Sequence, residues 1–146
     1  MKKGSVAICF VQHALQAMPA RGLDTAAVLR AAGIAPELLR LPDARVSAAS
    51  YSALWREVAR ALDDEFFGQD TRRMKVGSFA MLCHAVIHCK TLEQALRRAL
   101  DFFGLLLDDL GAVLELDDGS ARLVLRPRNA AVPPRIFAHE TLLIML

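Results

Sequence analysis

After Gly111 the apolar period of this chain changes. Before it, apolar residues return every three or four positions, the period of a helix. From Ala112 to Asp117, and again from Ala121 to Arg126, they alternate with polar residues, the period of a strand. Between these runs lies Asp117-Asp118-Gly119-Ser120, a strong signal for a tight hairpin turn. Helices first and strands late make an α+β chain. N-terminal helices are expected to pack with a later antiparallel hairpin or sheet, and a C-terminal helix follows, with helix dominating. Val113, Leu123 and Leu125 are the inward candidates of the strands. A two-stranded hairpin is marginal alone, so further strands are expected near it.

The helical part divides at recognisable caps and breakers. Val6 to Met18 reads as one helix stopped by Pro19. Asp24 is a good N-cap for a helix from Thr25 to Ala32, with Gly33 as its C′ residue. Pro36 to Arg40 reads as a single helical turn, since proline suits a helix start. Ser47 is expected to cap a longer helix in which Tyr51, Leu54, Trp55, Val58 and Leu62 form one stripe. Asp63 to Arg73 reads as a polar connector. Ser78 to Cys89 has few charges and is expected to be buried on most sides. Thr91 and Gln94 form a capping box for a helix with Leu92, Leu96, Ala99, Leu100, Phe103, Leu106 and Leu107 on one face. Arg128 to Pro134 is a loop, and Arg135 to Leu146 a final helix. That helix ends inside the apolar run TLLIML, which reads as a sheet and helix completed by further sequence.

Length and composition narrow the class. A chain of 146 residues suits one domain, here residues 1–146. It is 54% hydrophobic and 23% charged, too apolar for disorder. The 18 basic and 16 acidic residues give a net charge of +2 and are spread over both halves. No basic cluster interleaved with aromatics is present, so this chain is not expected to grip nucleic acid itself. MKKGSVAICFVQHALQAM resembles a signal peptide only faintly, because Gln12, His13 and Gln16 break the apolar run. No apolar stretch approaches the ~20 residues of a membrane span. Three cysteines without framework spacing fit a reducing cytoplasm.

Two groups of side chains are candidates for binding a ligand. Tyr51 and Trp55, the sole tyrosine and sole tryptophan, stand one helical turn apart and offer an aromatic wall with two donors. Aromatic stripes at this spacing are more often core. His84 and His88 share a helix face, with Met81 near them and Cys83 and Cys89 alongside. Such a histidine pair can ligate a metal, but no glutamate completes an HExxH pattern and no further ligand can be placed. Ordinary surface or pocket histidines are the better reading, and no metal or cofactor is assigned. Cys83 and Cys89 are ~9 Å apart along a helix, too far for a disulfide, and read as buried structural thiols. Asp63-Asp64 and Asp108-Asp109 read as solvated loop residues. No nucleophile–base constellation, P-loop or dinucleotide fingerprint appears, so no enzyme is expected.

Three segments carry a family resemblance: AAGIAPELLRLPDARVSAASYSALWREVARALDDEFFG, the Gly77-Ser78-Phe79 helix start, and KTLEQALRRALDFFGLLLDD. In their order and spacing they resemble the N-terminal, arabinose-binding-like region of AraC/XylS-type bacterial transcription regulators. The resemblance implies a cytoplasmic effector-sensing and dimerising domain. It also implies a separate C-terminal helix-turn-helix domain, outside this chain, as the route to DNA. A small-molecule effector and a homodimer are then the expected partners, and no membrane is. No residue here specifies a sugar. The alternatives are a constitutive dimerisation module without ligand, or a metal or haem sensor using His84 and His88.

Overall fold

The computed structural model describes residues 4–133 and 135–146. The chain forms two compact units that meet in sequence at Gly68 and Gln69. In the first unit, strand β1 (Ser5–Ala7) pairs antiparallel with β2 (Arg45–Ser47), with Val6 opposite Val46. Helix α1 (Ile8–Leu15) follows β1 directly. Helices α2 (Thr25–Ala31) and α3 (Ala48–Leu62) complete the unit, with 3-10 turns at Pro19–Arg21 and Pro36–Arg40.

The local caps form as the residue types dictate. The Asp24 carboxylate accepts the Ala26 N–H at 2.8 Å, and Ser47 Oγ accepts the Ser50 N–H at 3.0 Å. Each satisfies a donor that the first helical turn leaves without an internal partner. The α3 stripe then buries Leu54, Val58 and Leu62. Ile8, Val11, Leu15, Met18, Leu29 and Ile34 are buried in the same unit.

Two expectations for this unit are corrected. Val6 lies in a strand, and the helix begins only at Ile8. No strand was expected before Ser47 either, and Val46 there pairs with Val6. Three-residue strands are too short to alternate visibly, and their partner is some forty residues away. The stretch from Asp63 is also more than a polar connector, because Phe66 and Phe67 are fully buried in it.

The second unit holds α4 (Ser78–Val86), α5 (Leu92–Leu106), the hairpin β3 (Leu110–Asp117) and β4 (Ser120–Pro127), and α6 (Ile136–Met145). Thr91 Oγ1 accepts the Gln94 N–H at 3.1 Å, while Gln94 Oε1 reaches one residue further back, to the Lys90 N–H at 3.2 Å. Asp117 pairs with Ser120 across the two-residue turn, and the register runs to Leu110 opposite Pro127. Val113, Leu123 and Leu125 are half-buried. Among the described residues β3 and β4 pair only with each other, and the second strand pair of the chain, β1–β2, is a separate sheet. The fold is α+β and helix-dominated, ending in a helix. Pro134, in the expected Pro133-Pro134 loop, lies outside the described residues.

The expectation of a buried α4 is overturned. Helix α4 ends at Val86, and Leu82 is its one buried residue. Met81 is 62% exposed and Ile87, just past its end, 70%. Apolar composition alone does not bury a nine-residue helix that a neighbour covers on one side only. The cysteines correct in the same direction. All three are free thiols, with Cys9 and Cys83 exposed and Cys89 half-buried. Leu92, placed on the packed face of α5, is exposed at its first turn.

Candidate functional site

Helix α3 carries the aromatic group of the first unit. Tyr51 and Trp55, one turn apart, sit edge to face with ring centroids 5.8 Å apart. Trp55 also meets Phe67, with centroids 4.7 Å apart and the planes at 61°. Tyr51 and Trp55 are half-buried at the margin of the stripe, whereas Phe67 is buried. Two features here are energetically unfavourable. The Trp55 indole N–H is buried and has no hydrogen-bond partner. A buried donor left so costs about 1–3 kcal/mol. Phe67 holds a backbone φ of 58°, in the left-handed region. For a side chain of this size that costs about 1–2 kcal/mol.

Asp64 holds the loop that imposes this conformation. Its buried carboxylate accepts the Phe66 N–H at 3.0 Å and the Gly68 N–H at 2.9 Å. The Arg21 guanidinium stands 3.8 Å from the same carboxylate and donates to the Leu62 carbonyl at 3.3 Å. The buried charge therefore has backbone donors and a cation around it, which is what burial of a carboxylate requires. Asp64 was expected to be solvated, and it is not.

A second carboxylate system organises the other unit. Asp70 accepts the backbone N–H groups of Arg72 at 3.0 Å, Asp108 at 2.9 Å and Asp109 at 2.8 Å. Asp109 in turn accepts the Thr71 N–H and hydroxyl, both at 2.7 Å, and the Asn129 amide at 2.9 Å. Burial pushes the Asp109 carboxyl up. The donors on Thr71 and Asn129, with the charge of Arg135, outweigh it and hold the group below its ordinary value. The C-terminal end of α5 is closed by two guanidinium groups. Arg128 donates to the Gly104 and Leu107 carbonyls at 2.9 and 3.1 Å, and Arg72 to the Leu105 carbonyl at 3.0 Å. Cations are favourable at this pole of a helix. A small cleft beside Asp109 is lined by Leu110, Pro127, Val132, Arg135 and His139.

The sequence candidates thus fall into two places. Tyr51 and Trp55 are brought together in the first unit. Met81, His84 and His88 belong to the second, where all three are exposed. His84 lies in the last turn of α4 and His88 in the turn after it. Among the described residues no three His, Cys, Asp or Glu side chains are grouped to hold a metal ion. No helix among them is long and apolar enough to cross a membrane. Sequence reasoning missed Phe67, Asp64, Asp70 and Asp109. The one available signal was the apolar pair Phe66-Phe67 followed by Gly68 inside a polar stretch.

One protein family matches the chain, described as the N-terminal arabinose-binding domain of the AraC transcription regulator, over residues 22–146. The matched region begins before α2 and includes α3, the loop at Asp64 and all of the second unit. Neither curated proteins nor solved structures give a match.

Proposed function

The chain belongs to the family of N-terminal arabinose-binding domains of AraC transcription regulators, and on that premise we propose that it senses a small-molecule effector in the cytoplasm. Residues 1–146 act as one sensing and dimerising domain, and a helix-turn-helix domain outside this chain contacts DNA. The observation that carries this reading is the family match from residue 22 to residue 146. The domain performs no reaction of its own. The effector binds one conformation of the regulator better than the other, and so shifts the equilibrium that controls DNA binding.

Tyr51 and Trp55 are the proposed effector contacts, because a half-buried aromatic pair offers apolar area and polar donors together. Met81, His84 and His88 form a second proposed contact face on and after α4. The family description names arabinose, but no side-chain arrangement here selects a sugar, so the effector class stays open to acids and amino acids.

Thermal unfolding against a panel of sugars, including arabinose, amino acids and short organic acids tests the reading. A saturable rise in melting temperature is expected for one class, since a ligand selective for the folded state stabilises it by mass action. A panel without any such rise, together with a stable dimer in sedimentation, favours a constitutive dimerisation module instead. The exposed apolar residues Met81, Ile87, Leu92 and Leu105 are the specific observation in favour of that second reading.

A further inference from the structure

The two unfavourable features of the first unit meet at one pair of rings. Trp55 carries a buried indole N–H with no hydrogen-bond partner among the described residues. Phe67, its neighbour at 4.7 Å, is held in the left-handed region without being glycine. A buried donor keeps its full demand for an acceptor. A bulky residue in a sparsely populated conformation releases strain when its loop relaxes. One rearrangement answers both: the Phe67 ring moves aside, and an acceptor reaches Trp55 Nε1.

We propose that Trp55 is the anchor for the effector and that its indole N–H donates to an oxygen acceptor on a ligand with a flat apolar body. This rests on the effector-sensing reading and adds the chemical class of ligand to it. The apolar body takes the place of the Phe67 ring against Trp55, beside Tyr51. The indole nitrogen is closed off in the structure described. Binding is therefore linked to movement of the 63–68 loop, and a ligand that favours the relaxed loop shifts its population. The loop follows α3 directly, so the site and its moving part share one short stretch of chain.

The sole tryptophan makes the site directly visible. The probes are acetophenone and α-methylstyrene, which differ only in a carbonyl oxygen replaced by a methylene group. In the 146-residue chain, acetophenone is expected to move the single indole N–H resonance downfield, saturably, with a matching change in Trp55 emission. α-Methylstyrene is expected to bind about fivefold to tenfold more weakly, the worth of one neutral hydrogen bond, and to leave that resonance in place. Trp55→Phe keeps an aromatic ring and should abolish the preference for the oxygen. If that variant does not fold, the wild-type resonance still decides. Equal binding of the two probes overturns the proposal. So does an indole resonance that neither probe moves, which is the outcome expected if the N–H already rests on the face of a neighbouring ring. A panel effector that stabilises wild type and Trp55→Phe equally removes the anchor and leaves effector sensing standing. Discrimination between the probes, with DNA binding by the whole regulator unchanged when acetophenone is bound, keeps the site and removes the sensing reading.

Discussion

Asp70 and Asp109 hold each other's loops. The Asp70 carboxylate accepts the backbone N–H of Asp109 at 2.8 Å, and the Asp109 carboxylate accepts the backbone N–H and hydroxyl of Thr71, the residue after Asp70. The exchange spans 38 or 39 residues and fastens the start of the second unit to the α5–β3 junction. Asp70→Ala strands three backbone donors at once, on Arg72, Asp108 and Asp109. Urea unfolding should show a loss of about 2–3 kcal/mol. Asp70→Asn, which keeps one acceptor oxygen, should lose less. A loss below about 0.5 kcal/mol for the alanine variant, the range of ordinary surface changes, would remove the clasp from the list of stabilising contacts.

The same clasp should make this unit sensitive to acid. The folded-state pKa of Asp109 lies below its ordinary value of 3.8. Its ionised form therefore contributes stability that is fully present above that value and is lost as pH falls through the folded one. Stability measured from pH 6 downward should fall more steeply for wild type than for Asp109→Asn, so that curves set apart at pH 6 converge below about pH 4. Parallel curves across that window would mean that protonation of Asp109 does not limit the unit in acid.

These two carboxylates mark the boundary of what the sequence discloses. The caps at Asp24, Ser47 and Thr91 and the turn at Asp118-Gly119 were legible because each is a contact within four residues, with a residue type that has one common use there. The Tyr51–Trp55 pair was legible for the same reason, one helical turn being a local distance. The partners of Asp64, Asp70 and Asp109 include backbone N–H groups, which every residue but proline carries, so no residue type announces them. The β1–β2 pair failed because Val6 and Val46 must first be brought together by folding. Helix α4 misled because its apolar residues look like core, and only the arrangement of neighbours decides how many faces are covered.

Glycine is required at position 68 for two separate reasons, and a nearby glycine separates them. Both Gly22 and Gly68 hold a φ of +68°. A Cβ at residue 22 meets nothing within 4 Å, but one at residue 68 falls 2.4 Å from the Ala17 Cβ. Gly22→Ala should therefore cost about 1 kcal/mol, from backbone strain alone. Gly68→Ala adds a clash between two short side chains that cannot turn away, and should cost about 2–4 kcal/mol in total. Chemical denaturation of the two variants under one set of conditions checks this. Equal losses would show that the contact with Ala17 relaxes without effect.

Arg128 offers a last test, of how one side chain closes a helix. Its guanidinium donates to the Gly104 and Leu107 carbonyls at the end of α5. Its stem lies across Gly111, where an added Cβ would fall 2.7 Å from Nε and 3.2 Å from Cδ. Arg128→Met removes the donors and the favourable charge at the helix pole while keeping an apolar stem, and should cost about 1–2 kcal/mol. Gly111→Ala should reach a similar loss by another route, pushing the arginine off the carbonyls instead of deleting it. If that is the mechanism, the two changes remove one interaction, and the double variant should cost clearly less than the sum of the singles. Methionine is flexible enough to yield to the added methyl group. A double-mutant cycle measures this, with a coupling of about 0.5–1 kcal/mol expected. Strict additivity would mean that Gly111→Ala acts through the β3 backbone and not through Arg128.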